Sequence, residues 1–236
     1  MSERKLPQKS TRAEVDAFLS KVAAAPKPLV PGGERSRLIF AMDATASREP
    51  TWDQALHIQS QMFSAAAALG GLAVQLCHYR GFREFEASDW LFDTAALRRR
   101  MTAVHCLGGH TQIERLLQHT LAESRRKRVN ALVFVGDCLE EGVDPLCQLA
   151  GELGLLGVPA FMFHEGGEAQ AAAAFRQIAR LSGGAYCPFD SGSAQQLSEL
   201  LAAVAVFAAG GRPALEKLSR DGARAVRLLT QQISKG

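Results

Sequence analysis

The stretch "RLIFAMDATASREPTW", from Arg37 to Trp52, places three oxygen-bearing side chains directly after a run of apolar residues. Asp43, Thr45 and Ser47 occupy alternate positions just past residues 38–42. A carboxylate and two hydroxyls can hold a hard metal ion, perform chemistry, or cap the helix that follows. Their position at the end of a buried strand favours a ligand site, because α/β proteins bind ligands at strand ends of this kind.

Two further loops carry oxygen-bearing side chains. "LGGHTQIERLL" contains Thr111 after two glycines, and "FVGDCLEE" contains Asp137 after a second apolar run. Each residue taken singly has a structural explanation, since Thr111 can cap the helix "QIERLLQHTLAE" and Asp137 can end a strand. All three loops fall on one edge of the predicted sheet, and this coincidence favours a metal site over separate caps.

The elements that must position these loops alternate between strand and helix patterns. Strands are predicted at residues 37–42, 72–79, 130–137, 159–166 and 185–189, with a short edge strand around Phe85. Helices are predicted at about 51–69 and at 93–104, 111–127, 169–184 and 192–211. This alternation predicts a doubly wound α/β domain over residues 37–209, with a mostly parallel sheet and helices on both faces.

Helical extensions are predicted at both ends of this domain. Thr11 and Glu14 fit a capping box that opens an amphipathic helix, and a Pro/Gly linker completes residues 1–36. Residues 210–236 are predicted to form a C-terminal helical extension. The apolar stripe of the first helix can pack on its own domain or serve a partner.

The three loops together resemble the von Willebrand factor A (VWA) domain family. That family's metal-ion-dependent adhesion site (MIDAS) combines a DxSxS loop after the first strand, a threonine in a Gly-rich turn before a helix, and an aspartate after the fourth strand. Asp43, Thr45 and Ser47 match the first loop, while Thr111 and Asp137 match the other two positions. The resemblance spans roughly the middle three-quarters of the chain and implies a Rossmann-like VWA fold with a MIDAS at these residues.

Two positions depart from the family pattern. Thr45 stands where serine is usual, which preserves the hydroxyl, and "VGDC" replaces the commoner threonine-aspartate-glycine. The missing glycine after Asp137 is expected to alter this loop and the affinity for metal. Glu140 and Glu141, which follow, are interpreted as outer ligands, general bases or surface charges.

The chemistry of the matched residues agrees with the resemblance. Mg²⁺ prefers about six oxygen ligands and keeps several waters. The hydroxyls can bind directly, and Asp43 and Asp137 can supply charge directly or through water. Two carboxylates leave a dication electrophilic, so the family resemblance implies an Asp or Glu of a partner protein as the last ligand. Mg²⁺ or Mn²⁺ is predicted because no thiolate or imidazole belongs to this set.

Composition excludes several classes of function. The 236 residues are 47% hydrophobic and 22% charged, which indicates one globular domain with terminal additions. The net charge of +3 is small, and the densest basic run, residues 125–128, ends a predicted helix, where cations are favourable. Nucleic-acid binding is therefore not expected. The five cysteines are widely spaced and odd in number, which indicates reduced thiols. The sequence has neither the pattern of a signal peptide nor an apolar run long enough to span a bilayer. These features predict a cytoplasmic protein without a membrane anchor.

The predicted function is a metal-dependent protein-binding module, not an enzyme, that uses Mg²⁺ to engage an acidic residue of a partner. One alternative is a phosphohydrolase of the haloacid dehalogenase type, in which a strand-end aspartate is the nucleophile. That family's pattern needs a second acid where Thr45 stands. The other alternative is a VWA-like scaffold whose metal site has lapsed, and the altered "VGDC" loop is its support.

Overall fold

The computed structural model describes residues 35–52, 72–189 and 199–211. Three predicted segments lie wholly or largely outside the described residues: the N-terminal helix and linker, most of the helix at 51–69, and the C-terminal extension. The first part of the helix predicted at 192–211 lies outside them as well.

A six-stranded sheet organises the described residues, in the order β3-β2-β1-β4-β5-β6. The strands are β1 (Ser36–Asp43), β2 (Leu72–Arg80), β3 (Glu84–Ala87), β4 (Ala131–Gly136), β5 (Ala160–Glu165) and β6 (Ala185–Phe189). β3 is an antiparallel edge strand on β2, and the other pairs are parallel. The predicted α/β sheet, including its short edge strand, is confirmed.

Helices cover both faces of this sheet. They are α1 (Thr94–Thr102), α2 (Ile113–Arg126), α3 (Val143–Leu155), α4 (Ala169–Ser182) and α5, whose described residues are 199–211. A 3₁₀ turn spans Ala46–Thr51. None of the described helices has both the length and the apolar character that crossing a membrane requires.

Helix α3 was not among the predicted helices. Its sequence contains Pro145, Gly151 and Gly154, which are typical of turns. Pro145 lies in the first turn, however, where a backbone N–H would have no partner inside the helix. Leu146, Ala150 and Leu153 are buried at helical spacing, so tertiary packing stabilises a helix that local propensity does not indicate.

The central strands are buried on both faces, which explains their uninterrupted apolar runs. On one face, Phe40 and Met42 of β1 belong to a cluster that includes Met101 of α1 and residues of α5. On the other, Ile39 and Ala41 belong to a cluster supplied by α2, α3 and α4. Each large apolar side chain fully buried in this way contributes about 1.5–3 kcal/mol.

The sheet order creates a crevice beside β1. β1 pairs with β2 on one side and β4 on the other, so the chain winds outward in both directions from this point. Such switch points are where open α/β sheets bind ligands. Met42 pairs with Val135, so Asp43 at the end of β1 lies next to the loop that carries Asp137.

Candidate metal centre

Asp43 is fully buried at the carboxyl end of β1. Its Oδ1 accepts a hydrogen bond of 2.8 Å from the Thr45 backbone N–H, and its Oδ2 accepts one of 3.0 Å from the Tyr79 hydroxyl. The pKa of Asp43 is raised to about 6, chiefly by burial and to a smaller extent by the charge of Asp137, against the opposing effect of the Thr45 hydrogen bonds. The groups around Asp43 therefore do not offset the cost of burying its ionised carboxylate.

Asp137 faces the same place from the loop after β4. Its Oδ1 is buried and, within the described part of the chain, has no hydrogen-bond partner. One ligand atom each from Asp43, Asp137 and Cys138 lie within 4.8 Å of one another. A buried acceptor without a donor is costly unless a cation or water satisfies it. The His164 ring holds this loop, because its Nε2 lies 3.0 Å from the Asp137 carbonyl oxygen.

The hydroxyls of Thr45 and Ser47 lie 3.1 Å apart in the first loop. Thr45 is buried and Ser47 is exposed. Thr45 precedes the 3₁₀ turn but makes no side-chain capping bond. The Thr45 hydroxyl instead interacts with the Ser47 hydroxyl and the Asp43 carboxylate.

Thr111 is bound to the loop that follows Asp137. Its hydroxyl accepts a hydrogen bond of 3.0 Å from the Glu140 backbone N–H, and its own N–H donates one of 3.0 Å to Glu140 Oε2. Helix α2 begins at Ile113, and the donors of its first turn are capped by Glu141. Thr111 therefore does not cap α2, although helix capping was the structural explanation for this residue.

The Gly-rich turn before Thr111 packs its backbone against the turn between β2 and β3. A Cβ added at Gly109 would lie 1.8 Å from the Gly81 carbonyl oxygen, whereas one at Gly108 would meet nothing within 4 Å. The His110 N–H donates to the same oxygen at 3.2 Å. Gly109 is thus required for the close approach that carries Thr111 to this edge of the sheet.

Arg48 is the principal residue that sequence reasoning missed. Its side chain is 0% exposed, and its Nε and Nη2 donate to Glu165 Oε2 of β5 at 3.0 and 2.7 Å. Its Nη1 donates to the Asp43 carbonyl oxygen at 2.9 Å. Nothing in "SREPT" distinguishes this arginine from a surface turn residue. Trp52 is buried beside it, and its indole N–H donates to the Val104 carbonyl oxygen.

Cys138 was not predicted from the sequence as a candidate metal ligand. The pKa of its thiol is raised to about 12, chiefly by burial and also by the charges of Asp137 and Asp43. No described non-glycine residue has a positive φ, so Cys138 occupies backbone that does not require the family's glycine. The departure at this position therefore places a sulfur beside the two carboxylates.

The histidines near the Gly-rich turn lie outside this group. His110 is exposed and its Nδ1 lies 3.0 Å from Glu140 Oε2, while His119 Nε2 lies 2.9 Å from Gln75 Oε1. Among the described residues, the possible metal-ligand group contains no imidazole. These contacts are typical of structural or solvated histidines.

The residues present fit a divalent cation. The carboxylates of Asp43 and Asp137 lie close together. Asp43 is fully buried, and the buried Oδ1 of Asp137 has no hydrogen-bond donor among the described residues. Arg48 donates to the Asp43 backbone carbonyl and to Glu165, and its charge lowers the pKa of Asp43 less than burial raises it. A dication would supply the missing positive charge and satisfy Asp137 Oδ1.

Comparison with solved structures identifies the VWA fold. A von Willebrand factor type A protein from Catenulispora acidiphila aligns with a TM-score of 0.58 at 15% identity, over 73% of this chain and 43% of that chain. The SpRpn10 VWA domain aligns with a TM-score of 0.54 at 12% identity, over 72% of this chain and 95% of that domain. Proximal thread matrix protein 1 from the mussel byssus, solved with a zinc-occupied MIDAS motif, aligns with a TM-score of 0.59 at 13% identity, over 73% and 46% of the two chains.

These identities support the fold and leave the activity open. The chain spans less than half the length of the Catenulispora structure. No protein-family model and no curated protein sequence matches the chain.

Proposed function

We propose that this protein is a metal-dependent protein-binding module of the VWA type. The observation that carries the proposal is the Asp137 carboxylate at the switch point of the sheet: its buried Oδ1 has no hydrogen-bond donor among the described residues, and one of its oxygens lies within 4.8 Å of an Asp43 oxygen. A site of this kind is suited to hold a dication. The VWA fold of the structural neighbours supports the same conclusion.

The proposed metal-binding residues are those that the family pattern indicates, namely Asp43, Thr45, Ser47, Thr111 and Asp137. Their oxygens, considered alone, favour Mg²⁺ or Mn²⁺. These five residues supply fewer than the six ligands that Mg²⁺ takes, so the ion retains an open coordination position. An Asp or Glu side chain of a partner protein would fill that position.

An exposed apolar rim supports a protein partner. Phe82 is 73% exposed and Leu107 is 46% exposed. The Leu107 N–H donates to the Ala44 carbonyl oxygen at 3.0 Å, which places Leu107 against the first metal loop. The Phe82 ring packs edge-on against His110 of the Gly-rich turn at 5.3 Å. The partner surface would therefore present an acidic side chain beside apolar ones.

Other classes of function receive less support. Both oxygens of Asp43 already accept hydrogen bonds and the residue is fully buried, which is unsuited to a phosphohydrolase nucleophile. Two arginines of the basic run pair with acids, Arg125 with Glu152 and Arg126 with Glu123. These ion pairs partly offset the charge of the basic run, and the proposal remains a cytoplasmic protein-binding module that is not an enzyme and binds neither nucleic acid nor membrane.

Metal binding tests the proposal most directly. We expect calorimetry to detect one Mn²⁺ per chain, and Asp137→Ala to abolish this binding because it removes the oxygen that lacks a donor. Asp89→Ala, which changes an exposed aspartate, is the matched control. Partner capture should require the metal, be lost in EDTA and be lost in Asp137→Ala. Equal Mn²⁺ binding by wild type and Asp137→Ala would overturn the assignment.

Thr111→Val separates the ligand role from the structural role of the hydroxyl. Valine keeps the shape but removes the oxygen, so we expect metal affinity and metal-dependent capture to fall by about tenfold or more. Loss of the hydrogen bond from the Glu140 N–H should cost only about 1 kcal/mol of stability, measured by thermal melts in EDTA. A variant that melts lower yet binds metal normally would show that Thr111 only joins the two loops.

A further inference from the structure

We infer that Cys138 is a ligand of the proposed metal site and makes it select Zn²⁺ over Mg²⁺. The inference rests on the metal site of the proposed function and concerns which ion occupies it. The family pattern has glycine here, so a sulfur ligand is a property of this chain's own sequence.

The geometry places the Cys138 sulfur with both carboxylates. The three ligand atoms lie within 4.8 Å of one another, close enough for one ion to contact all of them after small side-chain rotations. Cys138 is partly buried, so its thiol lies at the wall of the site and not in open solvent. The unpartnered Asp137 Oδ1 is a second, independent indication of a bound cation at this position.

The donor chemistry then decides the ion. Zn²⁺ binds thiolate and carboxylate ligands together and commonly leaves a position open when it has three protein ligands. Mg²⁺ takes oxygen ligands and gains little from a thiol. When the Zn–S bond forms, the thiol proton is released to water, and no other reactant is needed. The open position remains for the partner's carboxylate.

The backbone does not explain why a cysteine is present. Cys138 has an ordinary φ, so either glycine or a larger residue is compatible with the loop. Gly136, two residues earlier, is constrained instead, because an added Cβ there would lie 2.6 Å from the Phe134 ring and 3.2 Å from the Asp43 Cβ. The backbone at 138 therefore accepts both the serine and the glycine substitution that test the ligand.

The experiment compares Zn²⁺ and Mg²⁺ affinities of the full chain and its Cys138→Ser and Cys138→Gly variants. We expect both variants to lose about tenfold or more in Zn²⁺ affinity while Mg²⁺ affinity changes by less than about threefold. Co²⁺, used as a spectroscopic substitute, should give a sulfur-to-metal charge-transfer band in the wild type and in neither Cys138 variant. Thermal melts in EDTA check that both variants fold.

Cys106→Ser is the matched control. The Cys106 thiol is near enough to be influenced by the charges of Asp43 and Asp137, yet it is not in the ligand group. It should keep the charge-transfer band and the Zn²⁺ affinity. Unchanged Zn²⁺ affinity in Cys138→Ser, with Mg²⁺ still bound, would overturn the sulfur ligand and leave the proposed function standing. Binding of neither ion by the wild type would overturn both.

Discussion

Replacing Arg48 with methionine is expected to destabilise the protein by about 3–5 kcal/mol. The change leaves the Glu165 carboxylate, whose side chain is 10% exposed, without its guanidinium partner. It also removes the donor to the Asp43 carbonyl oxygen. Because a buried, uncompensated charge is far more costly than a broken surface pair, the free energy of unfolding from urea denaturation should fall sharply.

Two comparisons isolate the cause of this loss. Arg125→Met breaks an ion pair of similar length, 3.0 Å to Glu152, but the arginine side chain is 63% exposed. It should cost less than about 1 kcal/mol. The double variant Arg48→Met with Glu165→Gln removes both charges and should recover much of the stability. An Arg48→Met protein as stable as Arg125→Met would contradict the importance of the buried pair.

Asp43→Asn is expected to stabilise the metal-free protein while abolishing metal binding. Asparagine can accept from the Thr45 N–H and donate to the Tyr79 hydroxyl oxygen, so it keeps both contacts without the buried charge. The pKa of Asp43 rises from an ordinary 3.8 to about 6. At neutral pH this difference corresponds to roughly 3 kcal/mol of destabilisation, which the asparagine would remove in part.

The pH dependence gives the sign of this effect. A carboxyl with a raised pKa holds its proton more tightly in the folded than in the unfolded protein. In EDTA, the protonated Asp43 therefore contributes its full stabilisation to the wild type below pH 3.8. This contribution of Asp43 to the free energy of unfolding should be lost as the pH rises through about 6. The Asp43→Asn variant should lack this decrease.

Thermal melts in EDTA at several pH values, together with Mn²⁺ calorimetry, measure both parts of the prediction. Asp89→Asn changes an exposed aspartate and should alter stability by no more than about 0.5 kcal/mol. An Asp43→Asn protein that melts lower than wild type at pH 7.5 would show that the carboxylate is not destabilising. Retained Mn²⁺ binding would show that Asp43 is not needed for the metal.

The sequence by itself determined the sheet and the edge at which its loops meet. Runs such as residues 38–42 are apolar without interruption because both faces of a central parallel strand are buried, so each run is visible without knowledge of its neighbours. Since parallel strands end at the same edge, the loops that carry Asp43 and Asp137 were expected at one edge of the sheet, whatever the strand order. The oxygen-bearing residues could therefore be predicted from their positions along the chain.

Only the tertiary structure decided what surrounds those residues. Arg48 lies in a polar turn, and its burial depends on Glu165, which is 117 residues away. Helix α2 is capped by Glu141, 27 residues beyond Glu114, which no local capping pattern indicates. Cys138 joins the ligand group because β1 and β4 are adjacent, a consequence of long-range pairing. Local sequence patterns encode periodicity and turn chemistry, whereas the charge balance of a buried site depends on groups that only the packed chain brings together.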